Sequence, residues 1–194
     1  MSEQEPTPGR PQDPAIDEAI LRAAQDLLIE RGVSRMTVDA VARAAGSGKA
    51  AVYRRWGSKN ALVVAAVRAL YDPPETPDTG SLRSDLIACA RHYANDDHRA
   101  LLILGSVLSQ LGTDAELAKA AYEAVGSPPA RMLEAVLRRW TTAGVIPHRA
   151  PTDLVAAVLP SIAFTNVVLR RETFDMATAE ELVDQVMLPA LLSH

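Results

Sequence analysis

Cysteine is almost missing from this 194-residue chain: Cys89 stands alone. A single thiol forms no intramolecular disulfide and no thiolate cluster, which excludes zinc fingers and iron–sulfur centres and suits a reducing cytoplasm. Long apolar runs are also lacking. The two longest uncharged stretches, Ala100 to Thr113 and Leu154 to Leu169, fall short of the ~20 residues a bilayer needs, and Pro160 interrupts the second, so no membrane span is expected. The opening MSEQEPTPGRPQDP lacks the charged-then-apolar order of a secretory signal, so export is not expected either. The four histidines, His92, His98, His148 and His194, fall in different segments, and none has ligand spacing with a carboxylate or thiol. Neither a Gly-rich phosphate loop nor a nucleophile elbow occurs. The expectation is therefore no enzyme, no cofactor and no bound metal.

What remains is the composition of an ordinary globular protein, 48% hydrophobic and 23% charged. At ~150 residues per domain, the length fits one domain or a small one joined to a larger. The net charge of −4 looks unfavourable for a polyanionic partner, but it averages two opposed parts. Residues 10–70 are net +4 and residues 71–194 net −6, with two glutamates before them. Such asymmetry points to a nucleic-acid-binding segment.

Residues 1–13 hold three prolines without apolar periodicity and read as a disordered tail. Beyond them no stretch alternates with period two, and the fold expected is all-α, with about nine to ten helices. Asp13-Pro14 provides an N-cap and a first-turn proline, after which Ile16, Ile20, Ala23 and Leu27 form one stripe up to Gly32. Thr37 caps a short helix ended by Gly46; another runs to Trp56 and Gly57, and Ser58 caps a fourth reaching Tyr71. The proline- and acid-rich DPPETPDTG, 72–80, breaks the pattern as a linker does. Helices then resume over about 82–94, 97–111, 114–125, 128–142, 152–170 and 178–192. Two of these open on capping boxes, Thr113-x-x-Glu116 and Thr178-x-x-Glu181, and a third on Ser127-Pro128. The division is thus a tail (1–13), a unit over 14–71, and a larger helical unit over 72–194.

Two short helices joined by Gly46-Ser47-Gly48, with a longer helix before them, have the shape of a helix-turn-helix. From Thr37 to Lys59 the chain carries Arg43, Lys49, Arg54, Arg55 and Lys59 against Asp39 alone, and two of its eight aromatics, Tyr53 and Trp56, lie in the last short helix. Cations bind phosphates and a tyrosine hydroxyl can donate to one, although a basic helix can also be merely solvated. The run TVDAVARAAGSGKAAVYRRWGSKNALV, Thr37 to Val63, resembles the DNA-binding domain of the TetR family of transcriptional regulators. Threonine opens the second helix and Ala-Gly ends it. An apolar-Tyr pair sits in the third, which an aromatic closes, and Ser-Lys opens the fourth. The resemblance covers roughly residues 14–70. One position departs: the family turn usually reads Gly-Val-Ser, and serine stands here where the apolar residue packs beneath the turn.

The resemblance implies roles residue by residue. Thr37 would hold a phosphate through its hydroxyl and the helix N-terminus. Lys49 and Ala50 would face base edges, where lysine reaches guanine acceptors and a methyl touches thymine. Tyr53 matches the groove-edge tyrosine, Arg54 and Arg55 divide between phosphate and base, and Lys59 clamps the flanking backbone. Val52 and Trp56 are expected in the core with Val41 and Leu62. The resemblance further implies a homodimer that binds a double-stranded DNA operator, most often as a repressor, and a larger domain that binds a small-molecule effector. The alternative is an all-α dimeric ligand-binding or protein-interaction module without specific DNA binding.

Apolar positions support a dimer independently. Helices 152–170 and 178–192 are apolar nearly all round and need cover on more than one side, so Leu154, Val158, Ile162, Leu182, Val186 and Leu188 are the interface candidates. For a mostly apolar effector, the polar and aromatic candidates are Cys89, His92, Tyr93, Ser106, Gln110, Tyr122, Trp140, Phe164, Thr165 and Asn166.

Overall fold

The structure, a computed structural model, describes residues 13–94 and 97–193. The tail expected over 1–13 lies, except for Asp13, outside the described residues, as do Asp96 and His194. Asp13 accepts from the Ala15 amide at 3.0 Å and starts α1, Pro14–Arg35, with proline in the first turn. Regular helix ends at Gly32, whose φ of 72° and ψ of 169° turn the chain toward α2, Val38–Ala44. Then come α3, Lys49–Trp56, and α4, Lys59–Arg68. Ile20, Ala24, Leu28, Met36, Val41, Val52 and Leu62 interlock as their core.

Beyond the linker, α5 spans Leu82–Arg91 and α6 His98–Leu108, the latter capped by Asp97 onto the Arg99 amide at 2.8 Å. Next, α7, Ala115–Ala121, runs without a break through a π turn at Tyr122–Gly126 into α8, Ser127–Thr142. The helix start expected at Ser127-Pro128 is therefore no start. Proline lacks the amide that an uninterrupted α-helix would use, and a wider i→i+5 turn absorbs it. Likewise α9, Thr152–Thr165, contains Pro160 and ends in a π turn at Asn166–Arg170. The C-terminal segment comprises α10, Met176–Leu182, a π turn at Val183–Met187, and α11, Leu188–Leu192. No β-strand occurs among the described residues.

Neither expected capping box forms. Asp114 accepts from the Leu117 amide at 2.9 Å and Asp175 from the Thr178 amide at 2.8 Å, so helices start after these carboxylates rather than at Thr113 or Thr178. A carboxylate caps a helix N-terminus as well as a hydroxyl does and adds charge that complements the dipole.

The two cores do not divide at the linker. Ile103 and Val107 of α6 and Leu117 of α7 pack into the core of α1–α4, whereas α5, α8, α9, α10 and α11 enclose a second core around Leu86, Leu133, Val136, Leu159 and Met187. The N-terminal unit thus shares apolar packing with elements beyond the linker.

A buried charge cluster ties the linker to the second core. Asp85, fully buried on α5, accepts from the Thr79 amide and hydroxyl at 2.7 Å each, from Arg139 Nη2 at 2.5 Å and from Trp140 Nε1 at 2.7 Å. Arg139 also donates to the Pro77 carbonyl at 2.6 Å. Trp140, a candidate ligand residue in the sequence, is a structural donor to this cluster. The cluster was legible only as an anomaly: one acid among Leu82, Leu86, Cys89 and Ala90 on a helix face needs a partner.

Candidate nucleic-acid interface

Thr37 is the exposed N-cap of α2; its hydroxyl oxygen accepts from the Ala40 amide at 3.2 Å, which leaves the hydroxyl proton for an external acceptor. The turn after α2 closes when the Ser47 amide donates to the Ala42 carbonyl at 2.8 Å, with Gly46 at a φ of 62° that disfavours any side chain. Serine at this turn keeps the bond because the backbone makes it. Gly48 then stands at the N-cap of α3 with no side-chain cap, so the first amides of that helix stay free.

Burial of Val52 fixes the rotation of α3. With that residue inward, Ala50, Tyr53 and Arg54 face outward and Tyr53 is 42% exposed. Trp56 packs against the core formed around Val41 and Leu62, as expected. Gly57 ends α3 at a φ of 71°, and Ser58 caps α4 through the Ala61 amide at 3.1 Å, placing half-buried Lys59 in the first turn beside the same face. Arg43, exposed at the end of α2, is a further cation in this segment.

Two of the expected contact residues are engaged within the protein. Lys49 Nζ lies 3.0 Å from Asp39 Oδ2, both about half exposed. The hydrogen bond and charge of Asp39 raise the lysine's pKa, so it stays cationic. Arg55 is a correction: its side chain is 7% exposed, its Nε donates to Asp17 of α1, and its Nη1 donates to the Ala51 carbonyl at 3.2 Å. Its neighbour Arg54 points outward instead, because adjacent residues on a helix are about 100° apart. Asp17 lies in the first turn of α1, 38 residues before Arg55, and only the tertiary fold brings the two together.

The effector candidates do not converge on one cavity. Cys89 is fully buried, and burial with the nearby Asp85 charge pushes its thiol up to about 12, so it is an inert core residue. Tyr93 is half-buried with its hydroxyl unpartnered, and burial raises its pKa. His92, its pKa lowered by burial, packs against Tyr71 with ring centroids 5.3 Å apart; both line a cavity of about 500 Å³ bounded by Arg68 and Pro128. Ser106 and Gln110 line a different cavity. Thr165 donates to the Ser161 carbonyl, Asn166 is buried with its carbonyl accepting from the Glu172 amide, and Phe164 is exposed. Only Tyr122 borders the most apolar cavity, about 230 Å³ between α4, α6 and α7, which Val64, Val67, Leu104, Val107 and Leu111 wall. The sequence does not mark those aliphatic residues as a site, since a cavity wall and a packed core have one residue pattern. Of the interface candidates, Leu182 is corrected as well: it is buried in the second core.

A short α3 presenting an outward polar face, held by a tight glycine turn on a three-helix core, defines a helix-turn-helix DNA-binding protein. Residues 20–66 match the family "Bacterial regulatory proteins, tetR family", and residues 76–186 match "Tetracyclin repressor-like, C-terminal domain". The chain belongs to the TetR family of transcriptional regulators, which is not a family of enzymes. It is 29% identical over 188 residues to an HTH-type transcriptional regulator of Mycobacterium tuberculosis, covering 96% of this chain and 91% of that protein. Over 73 residues it is 44% identical to the DNA-binding transcriptional repressor TetR of Mycobacteroides abscessus, 36% of this chain and 38% of that one. Among solved structures, the TetR family regulator SCO0332 superposes with a TM-score of 0.64 at 26% identity, covering 89% of this chain and 96% of that one. The fold is shared with Bacillus subtilis FadR, solved in complex with stearoyl-CoA, at a TM-score of 0.69 and 16% identity over 90% and 97% of the two chains.

Proposed function

We propose that this DNA-binding regulator is a homodimeric repressor that reads a palindromic operator and is released by a small, largely apolar effector. The observation that carries the operator reading is the outward face of α3, where Ala50, Tyr53 and Arg54 stand exposed between Thr37 and Lys59. In this reading the Thr37 hydroxyl, Arg43, Arg54 and Lys59 hold phosphates, Tyr53 donates at the groove edge, and Lys49 with Ala50 meets base edges. Arg55 orients α3 through Asp17 and touches no DNA. Lys49 reaches a base only by leaving Asp39, an exchange of one exposed ion pair for another contact that costs little.

The dimer reading is supported by α9 and its π turn, Thr152–Arg170. The segment is 19 residues long and apolar enough to cross a bilayer by length and composition, yet only 17% of its most apolar stretch is buried. Leu154 is 74% and Leu169 73% exposed, and Ala157, Ser161 and Phe164 continue the stripe between them. Val186 and Leu192 extend exposed apolar surface along the C-terminal segment. In a family of helix-turn-helix regulators, a second copy is the cover such a surface calls for, and two-fold symmetry then matches a palindrome.

For the effector, the 230 Å³ cavity between α4 and α6 is the best apolar site. It is smaller than the ~300–1,000 Å³ of typical ligand pockets, so it takes a compact apolar molecule or widens by moving α4. Since α4 begins at Lys59 on the reading face, such a movement displaces the DNA contacts directly. Repression fits the Mycobacteroides abscessus relative, a repressor by name.

Selection of bound DNA from a random pool, followed by salt titration of the selected duplex, tests the reading. With Arg43, Arg54 and Lys59 of two protomers each neutralising a phosphate, the log-log slope is expected to be about −5. A slope shallower than about −2, or no palindrome among the selected sequences, refutes it.

A further inference from the structure

A cavity of about 750 Å³ lies where the N-terminal unit meets the body, walled by the last turns of α1, the length of α6 from His98 to Ser106 and the π turn that ends α9. Its floor is apolar: Leu28, Val33 and Leu101 are buried there beside Val167. Its rim is cationic. Arg31, Arg35 and Arg171 line it with His98, and the single carboxylate among the lining residues, Glu30, is taken by Arg31 at 3.3 Å. Arg35 spends only its Nε, on the Arg31 carbonyl at 3.1 Å, and Arg171 makes no ion pair among the described residues.

Two further features mark the same place. Arg171 is the one described non-glycine residue with positive φ, 58°, a strained conformation that persists only where its surroundings or a function hold it. Ser106 Oγ is buried opposite Gly32 with no hydrogen-bond partner, while Ser34 of α1 donates to Gln110 Oε1 at 2.9 Å across the cavity's edge. The cations come from both sides of the junction, Arg31 and Arg35 from α1 and Arg171 from the body.

We propose that this cavity is a second ligand site, for an amphipathic anion whose apolar portion rests on the Leu28–Leu101 floor and whose carboxylate or phosphate lies between Arg35 and Arg171. Guanidinium forks suit either head group bidentately, and an anion relieves the mutual repulsion of clustered cations. The apolar floor distinguishes the site from a contact with a DNA backbone, which offers nothing to bury there. It is also separate from the apolar cavity between α4 and α6, with which it shares no lining residue.

The test is calorimetric titration of the full chain with decyl phosphate below its micellar concentration, with decanoate, inorganic phosphate and decanol as comparisons. The titration itself contains no DNA, so its outcome does not depend on the operator reading. At least one of decyl phosphate and decanoate is expected to bind tenfold or more tightly than phosphate or decanol, and the tighter of the two identifies the head group. Arg171→Gly and Arg35→Ala are each expected to weaken that binding at least tenfold. Glycine suits a φ of 58°, so Arg171→Gly keeps the fold, checked by an unchanged or raised Tm. Equal binding by decanol, or affinity untouched by both substitutions, overturns the proposal. So does a ligand-free Arg171→Gly protein with weaker operator binding and a shallower salt slope, because Arg171 is then a DNA contact.

Discussion

Asp85 takes a negative charge into a site without exposure, and its stability there rests on four donors. Burial alone raises its pKa, but the hydrogen bonds from Thr79, Trp140 and Arg139 together outweigh that and leave it below the ordinary carboxylate value. The folded-state pKa is thus depressed, so this group's contribution to stability is complete above the unfolded value of ~3.9 and is lost as pH falls through the folded one. Thermal unfolding of Asp85→Asn against the native protein checks this: the gap in Tm is expected to be constant near neutrality and to narrow below about pH 4. Asp85→Ala leaves Trp140 Nε1 and the Thr79 amide and hydroxyl without their acceptor and is expected to cost about 2–3 kcal/mol in denaturant unfolding. Arg55 carries a similar lesson. Read from the sequence it is one of five cations near the turn, and in the fold it is a strut to Asp17. Arg55→Ala is therefore expected to lower stability by about 1.5–3 kcal/mol, whereas Arg54→Ala weakens DNA binding with stability unchanged. If both variants have native stability, the strut assignment is wrong.

At the scale of elements, the helices are where punctuation put them, and their ends are set by side chains that the pattern ranked second. A hydroxyl at Thr113 with Glu116 three residues on satisfies the capping-box pattern, yet Asp114 holds the amide and also accepts from Asn60 Nδ2 on α4 at 3.3 Å. Asp114→Ala is accordingly expected to cost about 1 kcal/mol and Thr113→Ala close to nothing, measured by chemical denaturation. The reverse order would restore the capping box. The junction of α7 and α8 shows a different limit. Ser127-Pro128 is a legitimate start signal, but the π turn at Tyr122–Gly126 carries the helix through, from Leu117 in the first core to Leu133 in the second. Periodicity locates apolar faces; whether two faces line up across a proline is decided by what they pack against.

At the scale of the molecule, two surfaces remain to be satisfied, the basic reading face and the bare stripe along α9. For the second, Leu154→Asp adds a charge to a residue 74% exposed in the protomer, so the fold should hold while association fails. Light scattering after size exclusion is expected to give a dimer for the native chain and a monomer for the variant, with operator affinity falling at least a hundredfold. A native monomer, or a Leu154→Asp dimer, removes α9 from the interface. The shared core matters to regulation at the same scale. Ile103 and Val107 of α6 pack with the residues that position α2 and α3, so a ligand that displaces α6 is felt at the reading face without crossing a flexible joint.

By itself the sequence determined the all-α class, the order of the helices, the glycine turn and the family, since these depend on local capping, backbone freedom and residue spacing along one short segment. It also determined that α9 is too apolar to stand alone. Tertiary structure decided what depends on residues distant in the chain meeting: that Arg55 faces Asp17 and Trp140 faces Asp85, that Leu182 turns inward, that α6 and α7 join the N-terminal core, and that the effector candidates scatter over separate cavities. Spacing fixes which residues share a helix face. The neighbour across that face is fixed by packing, and the role of a charge depends on that neighbour.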